Sequence, residues 1–241
     1  MLKLGNYEFD VESASFSAHF ADAALSKRMQ YEEKPRFTWS IELEFCEGEI
    51  PYGSNIEDEF GEDVLSNAED ELDEFEDDEF EDEFDDDEPW TEYVYPRLYH
   101  NNGFKLNVHS WKMLEGIKKV WESEYNEAGE EAGTLYVLEH EAVTSGTIEF
   151  LKRKDDTFTI RWSGTANVNW SEELGEDVPF VFEGDVKFGG VYASTDNINS
   201  LEELKLALSE FVDLDEYELI SENCFQIQNG INRRWRFQPK I

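Results

Sequence analysis

An α+β fold, mainly antiparallel sheet built from long hairpins, with two or three short helices and an acidic insert, is what this sequence predicts. Three observations lead there. Apolar and polar residues alternate with period two over much of the chain, as at Phe37, Trp39, Ile41, Leu43 and Phe45 against Thr38, Ser40, Glu42 and Glu44. Alternate side chains of a strand fall on opposite faces, so this pattern buries one face and leaves the other in water. Turn signals, Asp155-Asp156 and Asn229-Gly230, stand between alternating segments. Helical spacing, by contrast, is confined to short stretches.

Taken in order, Tyr7, Phe9 and Val11 alternate with Glu8, Asp10 and Glu12, and Ser15 to Phe20 continues the extended pattern. A polar connection ends at Pro35, and the half-buried strand Phe37 to Phe45 follows, its outward face acidic. Beyond the insert, Trp90 to Tyr95 suits a short strand ended by Pro96, because proline donates no ladder hydrogen bond. Phe104, Leu106 and Val108 alternate and lead to a helix capped by Ser110, with Trp111, Leu114, Ile117, Val120 and Trp121 at helical spacing. Leu135 to Val143 is expected as one strand. Ile148, Phe150 and Lys152 run up to Asp155-Asp156, and Phe158, Ile160 and Trp162 run back, continuing through Ala166, Val168 and Trp170. Phe180–Phe182 and Val186–Phe188 precede Gly189-Gly190, where a bulge or turn explains the glycines better than phosphate binding. Ser200 and Glu203 form a capping box before Leu201, Leu204, Leu208, Phe211 and Val212. A last hairpin sets Phe225 and Ile227 against Trp235 and Phe237, and its returning strand carries Arg233, Arg234, Arg236 and Lys240. Segments 7–45 and 147–188 share a strand–long loop–strand rhythm, the outline of an internal repeat, although no residue pattern matches over more than a few positions.

Residues 1–56 and 89–241 carry the apolar and aromatic load of a single α+β body, and 57–88 is the insert. Of the 32 residues from Glu57 to Glu88, 21 are Asp or Glu and none is Lys or Arg. No basic side chain lies between Arg36 and Arg97. The formal charge of the chain is −38, and the insert supplies more than half of it. Such a charge repels nucleic acid and anionic membranes, so no direct contact with either is expected. A basic protein is the expected partner: a toxin, a nuclease or another nucleic-acid-binding protein.

Three readings of the insert stay open. As a helix, Leu65, Ala68, Leu72 and Phe75 form a stripe that Phe80 and Phe84 extend with one slip, and Ser66 with Glu69 suits a capping box. Its acids would then follow an axis rising about 1.5 Å per residue, close to the one charge per about 1.7 Å of duplex DNA. Like charges at i,i+4 oppose that helix. As a disordered arm, its phenylalanines would be interaction points kept soluble by acids. As a solvated loop it would have no dedicated partner, a reading set against the repulsion such purity of charge costs. The residues expected to touch a partner are Asp73, Glu74, Phe75, Glu76, Asp77, Asp78, Glu79, Phe80, Glu81, Asp82, Glu83, Phe84, Asp85, Asp86 and Asp87.

Catalytic and metal signatures are missing from the sequence. Asp70-Glu71-Leu72-Asp73 lacks the glycine of a calcium loop, and Asp85 to Glu88 runs into Pro89. Diffuse divalent attraction is expected, with no dedicated metal site and no cofactor. His19, His100, His109 and His140 match no zinc spacing; His140 between Glu139 and Glu141 suits an acid–base role on paper and an exposed strand histidine better. Cys46 sits among acids that discourage a thiolate, and Cys224 is expected as a small core residue. Trp162 and Trp170 could line a sugar groove but fit an aromatic core better. The four basic residues near the C-terminus are expected to pair with acids of the same chain. The N-terminus lacks an apolar leader, and no apolar stretch approaches membrane-spanning length, so a cytoplasmic location is expected.

At the level of class, the profile resembles small acidic inhibitors: bacterial immunity proteins that block basic toxins, and phage DNA mimics that occupy nuclease or restriction-factor clefts. The likeness implies a non-catalytic protein that blocks a basic target, a toxin-neutralising immunity protein ahead of an anti-defence DNA mimic. An acidic chaperone for basic proteins and an enzyme without a recognisable motif are the alternatives.

Overall fold

The computed structural model describes residues 1–52, 90–171, 173–227 and 230–241. Among them are fourteen strands, two α-helices and two 3-10 turns. Strands β1 (Leu2–Leu4) and β2 (Tyr7–Phe9) form a small hairpin, and β3 (Val11–Ala21) follows. After α1 (Ala23–Arg28) come β4 (Arg36–Phe45), β5 (Gly48–Tyr52), β6 (Trp90–Val94) and β7 (Arg97–Tyr99). Next are β8 (Lys118–Trp121), β9 (Thr134–Tyr136), β10 (His140–Lys154), β11 (Thr157–Val168) and the long β12 (Gly175–Thr195). Helix α2 (Leu201–Leu208) precedes the terminal hairpin of β13 (Tyr217–Ile227) and β14 (Gly230–Pro239).

Seven strands pair in a closed ring: β3, β4, β7, β9, β10, β11, β12 and back to β3. Lys187 of β12 is the seam, because it pairs with Thr157 of β11 on one side and Ser15 of β3 on the other. Every link is antiparallel except β12 with β3, so the sheet is mixed. At Gly189-Gly190 the register of β12 against β3 shifts. Gly190 has φ +96°, and a Cβ there would lie 2.0 Å from the Phe237 carbonyl oxygen, so the bulge requires glycine. Beyond it, β14 takes over from β11 as the neighbour of β12, at Val191 to Thr195.

The inward positions are those the alternation marks. Phe16 is fully buried, with ring centroids 5.5 Å from Trp39, 5.2 Å from Phe150, 5.8 Å from Phe158 and 5.1 Å from Phe188. Residues of β3, β4, β10, β11 and β12 thus meet on one aromatic cluster, and the barrel is filled by side chains.

The α+β expectation holds in its sheet-rich part, while helix is slighter than expected. Ser200 caps α2 as expected, its hydroxyl accepting from Glu203 N, and the Glu203 carboxylate reaches back to Asn199 N. The helix expected from Ser110 to Trp121 is not there. Ser110 caps only a 3-10 turn, Trp111–Met113; Gly116 then takes φ +83°, and β8 pairs with β10 from Gly146 to Glu149. A left-handed glycine and β-branched Ile117 and Val120 favour the break, and cross-strand pairing wins over local spacing. Leu135 to Val143 is two strands, folded back where Val137 N donates to Glu139 O. Phe104 makes a single bridge to Trp39, with no named strand through Val108. Helix α1 was not expected; Asp22 caps it, accepting from Leu25 N, and its other carboxylate oxygen accepts from Asp196 N and Asn197 N. Among the described residues, no helix is long and apolar enough to cross a membrane.

Candidate functional site

The expected partner-binding residues, Asp73 to Asp87, lie outside the described residues. What is described is their root. β5 and β6 pair antiparallel from Gly48↔Val94 to Tyr52↔Trp90, so Tyr52 and Trp90, the described residues on either side of the insert, are strand partners. Ile50 and Val94 bury the inner face of this ribbon. The other face carries Glu47, Glu49, Tyr93 and Tyr95, with Tyr93 60% and Tyr95 55% exposed. Hydrogen bonding to Glu49 raises the Tyr93 hydroxyl pKa, and hydrogen bonding to Glu47 raises that of Tyr95, with Glu12 adding to it. Phenol and carboxylate together form an anionic, aromatic surface, the chemistry that attracts guanidinium and ammonium groups.

A groove of about 640 Å³ crosses the outer wall of β12, β3, β4 and β7. On its floor the Ser17 hydroxyl lies 2.8 Å from His19 Nε2, and the imidazole stacks on Tyr192 at 5.6 Å. The surrounding protein lowers the His19 pKa by desolvation, although the ring edge still meets solvent. A serine nucleophile needs its histidine oriented by a third group. No carboxylate hydrogen-bonds to His19 among the described residues, and the two side chains are simply neighbours on one face of β3. A second groove of about 1040 Å³ adjoins the first through Tyr31, Arg36, Thr38, Asn102 and Gly103. There the Arg36 guanidinium lies 4.0 Å over the Tyr31 ring and donates to the Asn102 carbonyl. Burial would raise Glu130 on its rim, but hydrogen bonds from Lys119 and Asn126 outweigh this and hold it below the usual range.

The remaining candidates divide clearly. His100 is inside the barrel, stacked on Trp162 at 4.3 Å and 10°, with Phe104 at 4.7 Å and Trp121 at 5.4 Å. Burial drives its pKa down to about 3, against a weaker opposing contact with the Ala132 backbone, so the ring is neutral at ordinary pH. His140 is an exposed strand residue, as expected, with the Tyr99 hydroxyl 3.0 Å from Nδ1. Trp162 is core. Cys224 is not: it is exposed on β13, and Arg233 donates to its sulfur. Of the basic residues near the C-terminus, Arg233 pairs with Glu222 at 3.1 Å. Arg234 and Arg236 instead lie over Phe225 and Tyr192, and Lys240 donates to the Asp215 carbonyl. Among the described residues, Arg233 alone of the three arginines forms a salt bridge with an acid; pairing with the acidic run lies outside them. No cluster of three His, Cys, Asp or Glu residues suited to a metal occurs among the described residues.

Sequence reasoning did not single out Ser17, Tyr192, Tyr31 or Arg36. Ser15, Ser17 and His19 alternate with buried Phe16, Ala18 and Phe20, which marks an outward face but not a concave one. No protein-family model, no curated protein and no solved structure matches the chain.

Proposed function

We propose that the chain is a non-catalytic acidic inhibitor that binds and blocks a basic target protein, as a toxin-neutralising immunity protein does. The observation that carries this reading is the insert: 21 acids in 32 residues with no base, within a chain of charge −38. Its acids engage Lys and Arg of the target, which speeds encounter and makes association fall with salt. Phe75, Phe80 and Phe84 add apolar anchors. The exposed Glu47, Glu49, Tyr93 and Tyr95 at the root extend the same chemistry onto the body. Outside the insert the chain still carries 37 acids against 20 bases, so the body adds to the field that steers a cationic partner. The groove pair Ser17–His19 has no carboxylate hydrogen-bonded to the imidazole among the described residues, whereas a serine nucleophile needs its histidine so oriented.

A phage anti-defence DNA mimic is the second reading, favoured by the near match of acid spacing to duplex phosphate spacing if the insert is helical. The elaborated barrel suits shape-specific recognition and favours the immunity reading. The test is capture on the immobilised intact chain from its native host, at low and high salt, followed by assay of the captured protein's activity. One stoichiometric basic partner, released by salt and inactivated in the complex, is expected. A smear of basic proteins would point to an acidic chaperone instead. Equal inhibition by a variant lacking 57–88 would remove the insert from the mechanism.

A further inference from the structure

Among the described residues, the terminal hairpin has one strand edge without a partner. β14 lies between β12 and β13, and meets β12 only through Arg233 to Phe237. β13 pairs with β14 and with no other strand among the described residues. Its ladder is regular from Ser221 to Ile227, past the bulge that puts Ile220 out of register. Edge strands are ordinarily blunted by lysine, proline or inward charge. Tyr217–Ile227 contains no Lys, Arg or Pro. Apolar surface accompanies the edge on one face, where Phe225, opposite Asn232, is 46% exposed. The nearby arginines belong to β14, on the far side of β13 from the edge. Arg233 is engaged by Glu222, and Arg234 by Phe225 and Asn232.

We propose that Ser221–Ile227 is a docking strand that takes up an extended segment of the basic partner by strand addition, with Phe225 packing against one face of it. Backbone hydrogen bonds would supply the attachment and Phe225 the register. Charge selects the occupant. A second copy would bring another body of charge −38 to the edge. A cationic protein meets the opposite field. The proposal rests on the reading of the partner as basic and adds where its backbone attaches.

The test uses the intact chain and an alternating lysine–valine decapeptide, with amide hydrogen exchange resolved by peptide fragment. A control decapeptide keeps the same charge but carries two central prolines, which cannot join a ladder. Among Ser221–Ile227, the alternate amides that point away from β14 are expected to exchange fast in the free protein and to slow about tenfold or more with the alternating peptide and not with the control. A Phe225→Ser variant, at an exposed position away from the core, is expected to weaken that protection about threefold or more. Slow exchange of the outward amides as well in the free protein would overturn the proposal, because the edge would already be covered. Protection that appears without peptide as the protein is concentrated would overturn it in favour of self-pairing. Salt-sensitive binding of both peptides with β13 unprotected would overturn it and leave the acidic-inhibitor reading standing. Failure of either peptide to bind at low salt would remove both.

Discussion

Acidification should destabilise this barrel through His100 by an amount that can be isolated from its other titrating groups. The ring is enclosed by Trp162, Phe104 and Trp121, and its pKa in the folded chain is about 3. An unfolded histidine titrates near 6.5, so the unfolded chain binds this proton first. The stability of the neutral ring is therefore fully present above about pH 6.5 and is lost as the pH falls towards about 3. By linkage the loss is about 2 kcal/mol at pH 5 and approaches about 5 kcal/mol below pH 3. The carboxylates of a −38 chain also titrate at low pH, and relief of their repulsion acts in the opposite direction. A His100→Phe variant keeps the aromatic stack and the carboxylates but removes the titration. Urea unfolding of both proteins, followed by tryptophan fluorescence at pH 7, 6 and 5, cancels the shared terms. The stability of the wild type relative to His100→Phe is expected to fall by about 2 kcal/mol between pH 7 and pH 5. Stabilities that run parallel across that range would refute the burial argument.

Two further outcomes follow from single positions. Gly190→Ala would place a Cβ 2.0 Å from the Phe237 carbonyl oxygen at φ +96°, so denaturant melting should show a loss of more than about 1 kcal/mol, against little change for Gly129→Ala beyond the strain at φ +70°, where the space is open. At the root of the insert, ultraviolet titration should show one phenol shifting down towards the ordinary tyrosine range in Glu49→Gln, because the hydrogen bond from Tyr93 to that carboxylate is what holds its hydroxyl up; an unchanged titration would exclude the contact in solution.

Most strands were legible because their cause is local. The alternation at Phe37 to Phe45 and at Ile148 to Trp162 names both the strand and its buried face, and the residues it marks, Trp39, Ile41, Leu43, Ile148, Phe150, Phe158, Ile160 and Trp162, are all core. Asp155-Asp156 announced its turn, and Asp155 adopts φ +55° there. The capping residues of α2 were equally plain. The segment from Ser110 to Trp121 misled because spacing at three and four residues also fits a turn followed by a strand whose outward residues are partly apolar: Val120 is exposed, while Trp111, Leu114 and Trp121 are buried from two different elements. Cys224 misled because an apolar strand was taken to lie in the core, whereas the outer part of the terminal hairpin projects past β12. The grooves gave no signal at all, since Ser17, His19 and Tyr192 are ordinary outward residues until two strands distant in sequence set them side by side.

By itself, the sequence determined the strand periodicity, the inward aromatic set, the glycines of the bulge at Gly189-Gly190 and the charge of the chain. Each depends on neighbours along the chain or on a simple sum of charges. Tertiary structure alone decided the closure of the ring, the parallel union of β12 with β3, the fate of residues 110–121, the hollows on the wall and the edge of β13 that has no partner among the described residues. These depend on which segments pair across long stretches of chain, a choice made by the shared burial of Phe16, Trp39, Phe150, Phe158 and Phe188, and no local pattern encodes it.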